Sequence, residues 1–294
     1  MNINDNLGFF GMFKESFKII LTCPKIFIQI TIAFILPQLC LSLAYLWISS
    51  SISPEWPMYW LISTGCSILS TIFNLLTISA IAYTVAYICT DQDFTFKKVV
   101  SVIPTVWKRL TITFLCNVCI VFAYFFICAL VAGIFFTLFY VAKGGEEWIG
   151  MTTILLFIVM AILFVAGIFY MITIWQLANI VSVLENIRGF KALKRSKELI
   201  KGKMGTSFAI TFVMLLWAIP NVVLVQKLAG FGTIERICLE FFMILFGTFI
   251  TLYCLVIQTV FYFVCKSYHH ESIDDDLGEY LPLKTGSMKI EDQV

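Results

Sequence analysis

Six stretches of this chain run for more than twenty residues with charge only at their ends, Glu240 among them. They are Ile26–Ile48, Tyr59–Cys89, Ile112–Ala142, Ile149–Val181, Thr206–Leu228 and Ile237–Cys265. A hydrocarbon core about 30 Å thick takes about 20 apolar helical residues to cross, so each stretch is long enough for a membrane span. Those near 30 residues must tilt or project past the headgroups. Barrel strands would alternate apolar with polar residues, and these stretches do not. Composition points the same way: 60% of residues are hydrophobic and 13% charged, against about 25% charged in a soluble domain. No water-facing fold of this length hides that much apolar surface. The expected fold is all-α, a polytopic membrane helical bundle with six transmembrane helices. Pro37 and Pro220 fall inside the first and fifth spans, where each frees a carbonyl and is expected to bend its helix.

Charge supplies an orientation. If the N-terminus, loop 90–111, loop 182–205 and the C-terminal tail share one side, seventeen of the twenty Lys and Arg residues lie there. Only Lys143, Lys227 and Arg236 remain on the other. Lys- and Arg-rich loops stay cytosolic, so both termini are expected inside the cell, in the endomembrane system or plasma membrane. Residues 1–265 then form the membrane domain. Residues 266–294, with Asp274-Asp275-Asp276 and Glu279, read as an acidic disordered tail.

The basic side carries a threefold repeat. Phe13-Lys14, Phe96-Lys97 and Phe190-Lys191 each open a basic segment of about 15 residues that runs into a pair of spans. The repeated unit is a cytosolic amphipathic helix followed by a helical hairpin. In the second copy Phe96, Val99, Val100, Ile103, Trp107 and Leu110 share a face, with Lys97, Lys98, Lys108 and Arg109 elsewhere. Such a helix is expected in the headgroup plane, its cations against anionic lipid. Lys191, Lys194 and Arg195 take that role in the third copy.

That third copy also reads as an elbow. Gly189 allows a sharp turn off the fourth span and Gly202 a helix end before the fifth. Glu185 is placed to pair with Arg188 or Arg195. Glu198 is spaced for a local ladder with Lys194 and Lys201. Ser196 completes the pattern.

The string Glu185–Gly189–Ala192-Leu193–Arg195-Ser196–Lys201-Gly202 resembles the elbow of the broad glycerophosphodiester phosphodiesterase membrane-domain group. Those are six-span domains without catalytic residues of their own. A closer resemblance, over nearly the whole chain, is to a plant family of uncharacterised six-span membrane proteins. It rests on Val102-Ile103-Pro104 with Lys108-Arg109-Leu110, on Val181-Ser182-Val183-Leu184-Glu185, and on the stretch Val260 to His270. The tail Gly278 to Lys284 fits as well. The resemblance implies an architecture and carries no activity.

Catalytic chemistry finds no foothold. The two histidines, His269 and His270, lie beyond the last span, and two adjacent ligands without a third make a weak metal site. There are no paired intramembrane carboxylates, no phosphate loop and no nucleophile elbow. Cys116-x-x-Cys119 is an isolated pair in an apolar helix, best read as small apolar residues. No metal or cofactor is expected, and the chain is not expected to be an enzyme.

Amides do enter the spans, including Asn74, Asn117, Gln176 and Asn179. They either bond between helices or line a path for a small neutral solute. In the tail, Tyr280-Leu281-Pro282-Leu283 has the Tyr-x-x-apolar form that sorting adaptors bind, with Tyr280 and Leu283 as the pocket residues. An ordinary polar tail is the alternative. The function expected is that of a non-enzymatic membrane organiser or trafficking adaptor, contacting anionic lipid and sorting partners. An uncoupled channel or facilitator is the second reading.

Overall fold

The computed structural model describes residues 8–51, 56–90, 95–142, 151–227 and 233–270, and every regular element among them is a helix. In chain order these are α1 (Phe9–Thr22), α2 (Pro24–Ile30), a π turn (Thr31–Ile35), α3 (Leu36–Ser51), α4 (Pro57–Cys89), α5 (Phe96–Ala142), α6 (Met151–Leu184), α7 (Phe190–Ile200), α8 (Met204–Lys227) and α9 (Thr233–Tyr268). Five segments are long and apolar enough to cross a membrane: Pro24–Tyr45, Pro57–Cys89, Phe96–Leu138, Ile154–Leu184 and Ile237–Tyr268. A sixth arises if α7 and the start of α8, bent by 111° at their junction, are taken as one broken span. The molecule has the build of an integral membrane protein.

Local chemistry explains the breaks. Pro37 has no N–H for the carbonyl four residues back, and its ring needs room there. The helix widens just before it. Residues Thr31–Ile35 form the π turn, and the Leu36 N–H reaches back to the Thr31 carbonyl. Pro57 opens α4 in its first turn, where a missing N–H costs nothing. Pro104 behaves differently from Pro37: α5 continues through it as one helix of 47 residues.

That continuity corrects one expectation. The segment Phe96–Leu110 does not form a separate helix lying in a headgroup plane, because it is the first third of α5. At 1.5 Å per residue α5 is about 70 Å long, more than twice the hydrocarbon core, so the basic segment extends the span instead of turning away from it. Its buried stripe is Val99, Ile103, Val106 and Leu110. Val106 belongs to that stripe, and Val100, expected in it, is exposed. In the other two copies the basic helix is separate. Cys23 breaks α1 from α2, and residues 201–203 break α7 from α8.

Packing follows one rule three times. The second arms of the three hairpins, α4, α6 and α9, touch one another. Each first arm lies against its own second arm and the preceding one: α3 against α4 and α9, α5 against α6 and α4, α8 against α9 and α6. Of the basic helices, α1 rests on α9 and α7 on α6, again the preceding second arm.

Burial is uneven along this bundle. Leu75 and residues 77–89 of α4, residues 177–184 of α6 and Val256, Ile257 and Thr259–Lys266 of α9 are buried, and the buried faces of α1, α5 and α7 close over them. At the opposite end α5 and α6 lose this cover. In α6, residues 154–159 and 161–163 are exposed on almost every side, apart from half-buried Met160, and so are residues 129–138 of α5. We refer to these as the packed end and the open end.

Candidate functional site

The packed end is held by an elbow between α6 and α7. The helix stops at Leu184, and Glu185 sits just beyond it with its carboxylate buried. A charge there needs partners. Tyr262 donates its hydroxyl to Glu185 Oε1 at 2.9 Å, and Arg195 Nε reaches Oε2 at 3.3 Å. Of the two cations expected for Glu185, Arg195 is the partner, and Arg188 is exposed. Arg109 Nη1 donates to Asn186 Oδ1 at 3.0 Å and to the Glu185 carbonyl at 3.4 Å, tying α5 to the same turn.

Thr113 organises the next residues. Its hydroxyl donates to the Arg109 carbonyl at 3.0 Å, and the oxygen accepts the Gly189 N–H at 2.9 Å. With its one proton committed, it accepts from Ser182 Oγ at 2.8 Å. Gly189 has φ +63°, and a Cβ there would meet Cys116 Sγ at 3.2 Å. Ser196 donates to the Ile174 carbonyl at 2.9 Å, laying α7 across α6. At the far end of α7, Gly202 has φ +101°, and a Cβ would lie 2.6 Å from the Tyr268 ring. Glu185, Gly189, Ser196 and Gly202 are thus the fixed points of one bent connection.

The seven cations expected at a lipid surface divide into two groups. Lys97, Lys98, Lys108, Lys191 and Lys194 are exposed, whereas Arg109 and Arg195 are half-buried and engaged with the Glu185 turn. Lys266, counted on the same side, is buried in α9. The expected ladder through Glu198 does not form: among the described residues neither Lys194 nor Lys201 pairs with it. Tyr280 and Leu283 lie outside the described residues. His269 Nε2 lies 3.3 Å from the Leu199 carbonyl, which ties the end of α9 to α7.

Two hollows adjoin this connection. An open-sided groove of about 500 Å³ runs between α5 and α6 beneath α7. Asn117, Ile120, Ala123, Tyr124 and Ile127 line it from α5, Tyr170, Met171 and Ile174 from α6, and Leu193, Lys194 and Lys197 from α7. Its volume falls in the range of about 300–1,000 Å³ typical of small-molecule sites. Tyr124 donates to the Phe164 carbonyl at 3.0 Å across the seam. It approaches so closely that any Cβ at Gly167 would collide with its hydroxyl. The second hollow, lined by Thr173, Gln176, Ser207, Thr211 and Gln258 among others, is about 10 Å³. That is room for about one water.

Sequence reasoning named Lys194 but not Lys197, and treated Asn117 only as an interhelical amide or pore-lining group. The spacing of Lys194 and Lys197, three apart on one helix face, was the available signal. The amides proposed for a solute path share no hollow: Asn74 is exposed on α4, Asn117 lines the groove, Gln176 lines the water-sized hollow, and Asn179 is buried in α6 and lines neither.

A family profile described as a domain of unknown function (DUF8558) matches residues 4–54 and 44–293. No curated protein matches the chain, and no solved structure does.

Proposed function

This chain belongs to the family described as a domain of unknown function (DUF8558), and we propose that it is a non-enzymatic organiser of membrane lipid. It holds anionic headgroups against the basic rim of its packed end. The carrying observation is that Lys14, Lys97, Lys98, Lys108, Lys191, Lys194 and Lys197 are all exposed on α1, the start of α5 and α7, with Lys201 exposed just after α7; these elements close this end. Each lysine near an anionic surface contributes about 1 kcal/mol. In this reading the packed end faces the cytosol, as the distribution of Lys and Arg directs. The chain is then a six-span protein of three hairpin repeats, with α8 as the fifth span. Tyr280 and Leu283 extend the function to trafficking, offering an adaptor-binding peptide on the same side.

Purification in native lipid particles, with mass spectrometry of the lipids and proteins that copurify, tests this directly. Anionic lipids should be enriched over the host membrane and sorting adaptors recovered. The variant Lys97→Glu, Lys98→Glu, Lys191→Glu should lose most of the lipid enrichment. A lipid profile equal to the bulk membrane, or unchanged by the variant, would overturn the lipid part. Absence of adaptors from both preparations would remove the trafficking part. Arg195 is left out because its side chain holds Glu185. The facilitator reading has less support, since the amides that would line a path share no hollow: Asn74 is exposed, Asn117 and Gln176 line separate hollows, and Asn179 lines neither.

A further inference from the structure

The groove between α5 and α6 differs from the basic rim in kind, and it contains features that the rim alone does not explain. Its α5 wall is the stripe Asn117, Ile120, Ala123, Tyr124 and Ile127, one side of the helix at three- and four-residue steps. Ten residues separate its ends, about 15 Å at 1.5 Å per residue. That is half of a hydrocarbon core about 30 Å thick, the depth of one leaflet. One end of this apolar channel carries Lys194 and Lys197, both exposed and without an ion-pair partner among the described residues. The rest of the lining is apolar apart from the Asn117 amide and the Tyr124 and Tyr170 hydroxyls.

A second observation points to a missing occupant. Asn117 is 2% exposed, and its amide nitrogen has no hydrogen-bond partner. Buried donors without partners are uncommon and costly. Six buried side-chain polar atoms among the described residues lack partners, and of these Asn117 Nδ2 belongs to a residue that lines the groove. The groove thus has one unmet polar donor in an otherwise largely apolar lining. From this combination we infer that the groove is a one-to-one site for an anionic phospholipid. The phosphate lies against Lys194 and Lys197, the glycerol ester oxygens are within reach of the Asn117 amide, and one acyl chain follows the stripe to Ile127. The inference rests on the lipid-organiser reading but commits to one bound molecule at one place.

The test is native mass spectrometry of the full chain, titrated with phosphatidylserine or phosphatidylcholine in a non-ionic detergent. The expected result is a single phosphatidylserine adduct per chain that phosphatidylcholine does not displace. Lys194→Gln with Lys197→Gln should weaken it roughly thirty-fold, at about fivefold for each lysine near anionic lipid. Ala123→Trp, which fills the channel but leaves every charge in place, should abolish it. Lys97→Gln with Lys98→Gln should leave it intact.

If Lys97→Gln with Lys98→Gln weakens the adduct as much as the groove lysines do, anionic lipid is held by the rim alone. The groove inference then fails while the organiser reading stands. If phosphatidylcholine binds equally in every variant, both fail. Glycerol 3-phosphate is the third arm: binding as tight as the lipid's, and insensitive to Ala123→Trp, would assign the lysines to a soluble phosphate and overturn the lipid assignment. Variant thermal midpoints within a few degrees of the parent's exclude misfolding as the cause.

Discussion

Two glycines and one carboxylate do most of the shaping at the residue scale. Gly202 combines a left-handed φ with a ring 2.6 Å from where a Cβ would stand. These are separate penalties, and one double variant separates them. Gly202→Ala should destabilise the protein by about 1–3 kcal/mol, read as a lowered thermal midpoint in detergent. Adding Tyr268→Ala removes the collision but not the backbone strain, so it should recover only part of the loss. Full recovery would show that φ is unimportant here. Glu185 illustrates the other kind of residue-scale constraint. A carboxylate 6% exposed is tolerable only because Tyr262 and Arg195 meet its two oxygens. The sequence showed that Glu185 needed a cation and offered two. Chain proximity could not choose between them, and the tyrosine that completes the set lies 77 residues away.

At the scale of elements, α5 is the instructive case. Its basic segment has a proline, four cations and an amphipathic pattern, all of which suit a helix lying flat on a membrane. The segment instead stands in line with the span, because Val99, Ile103, Val106 and Leu110 form a stripe that packs into the bundle. Periodicity reveals that a face is buried but not what buries it. A protein core and a lipid surface give the same pattern. Site-directed spin labels at Thr105, Lys108, Ile112 and Leu115 distinguish the two directly. Accessibility to oxygen against a polar relaxant should report depth increasing by about 1.5 Å per residue. A constant depth from Thr105 to Leu115 would restore the flat helix. The π turn ahead of Pro37 shows a similar limit: the proline predicts a local distortion, and only the packed structure shows which one.

For the whole molecule, the cyclic packing of α4, α6 and α9 within α3, α5 and α8 matches the threefold pattern of Phe-Lys segments. This much was legible because each unit repeats both its charge and its apolar length. The groove was not legible, since its three walls come from residues 117–127, 170–174 and 193–197, and no local signal announces a shared hollow. A global prediction follows from the charge distribution. Fluorescent or protease-cleavable reporters at the N-terminus and the C-terminus should lie on one side of the membrane, opposite an epitope inserted at Gly144-Gly145. Reporters on opposite sides would mean an odd number of spans, with α8 failing to cross.

The contrast between the packed and open ends has a meaning for the surrounding bilayer. Along residues 154–163 of α6 and 129–138 of α5 most side chains are exposed, so in a bilayer that level would be open to acyl chains. A bilayer around this molecule would meet a filled bundle at one leaflet and separately exposed stretches of α5 and α6 at the other.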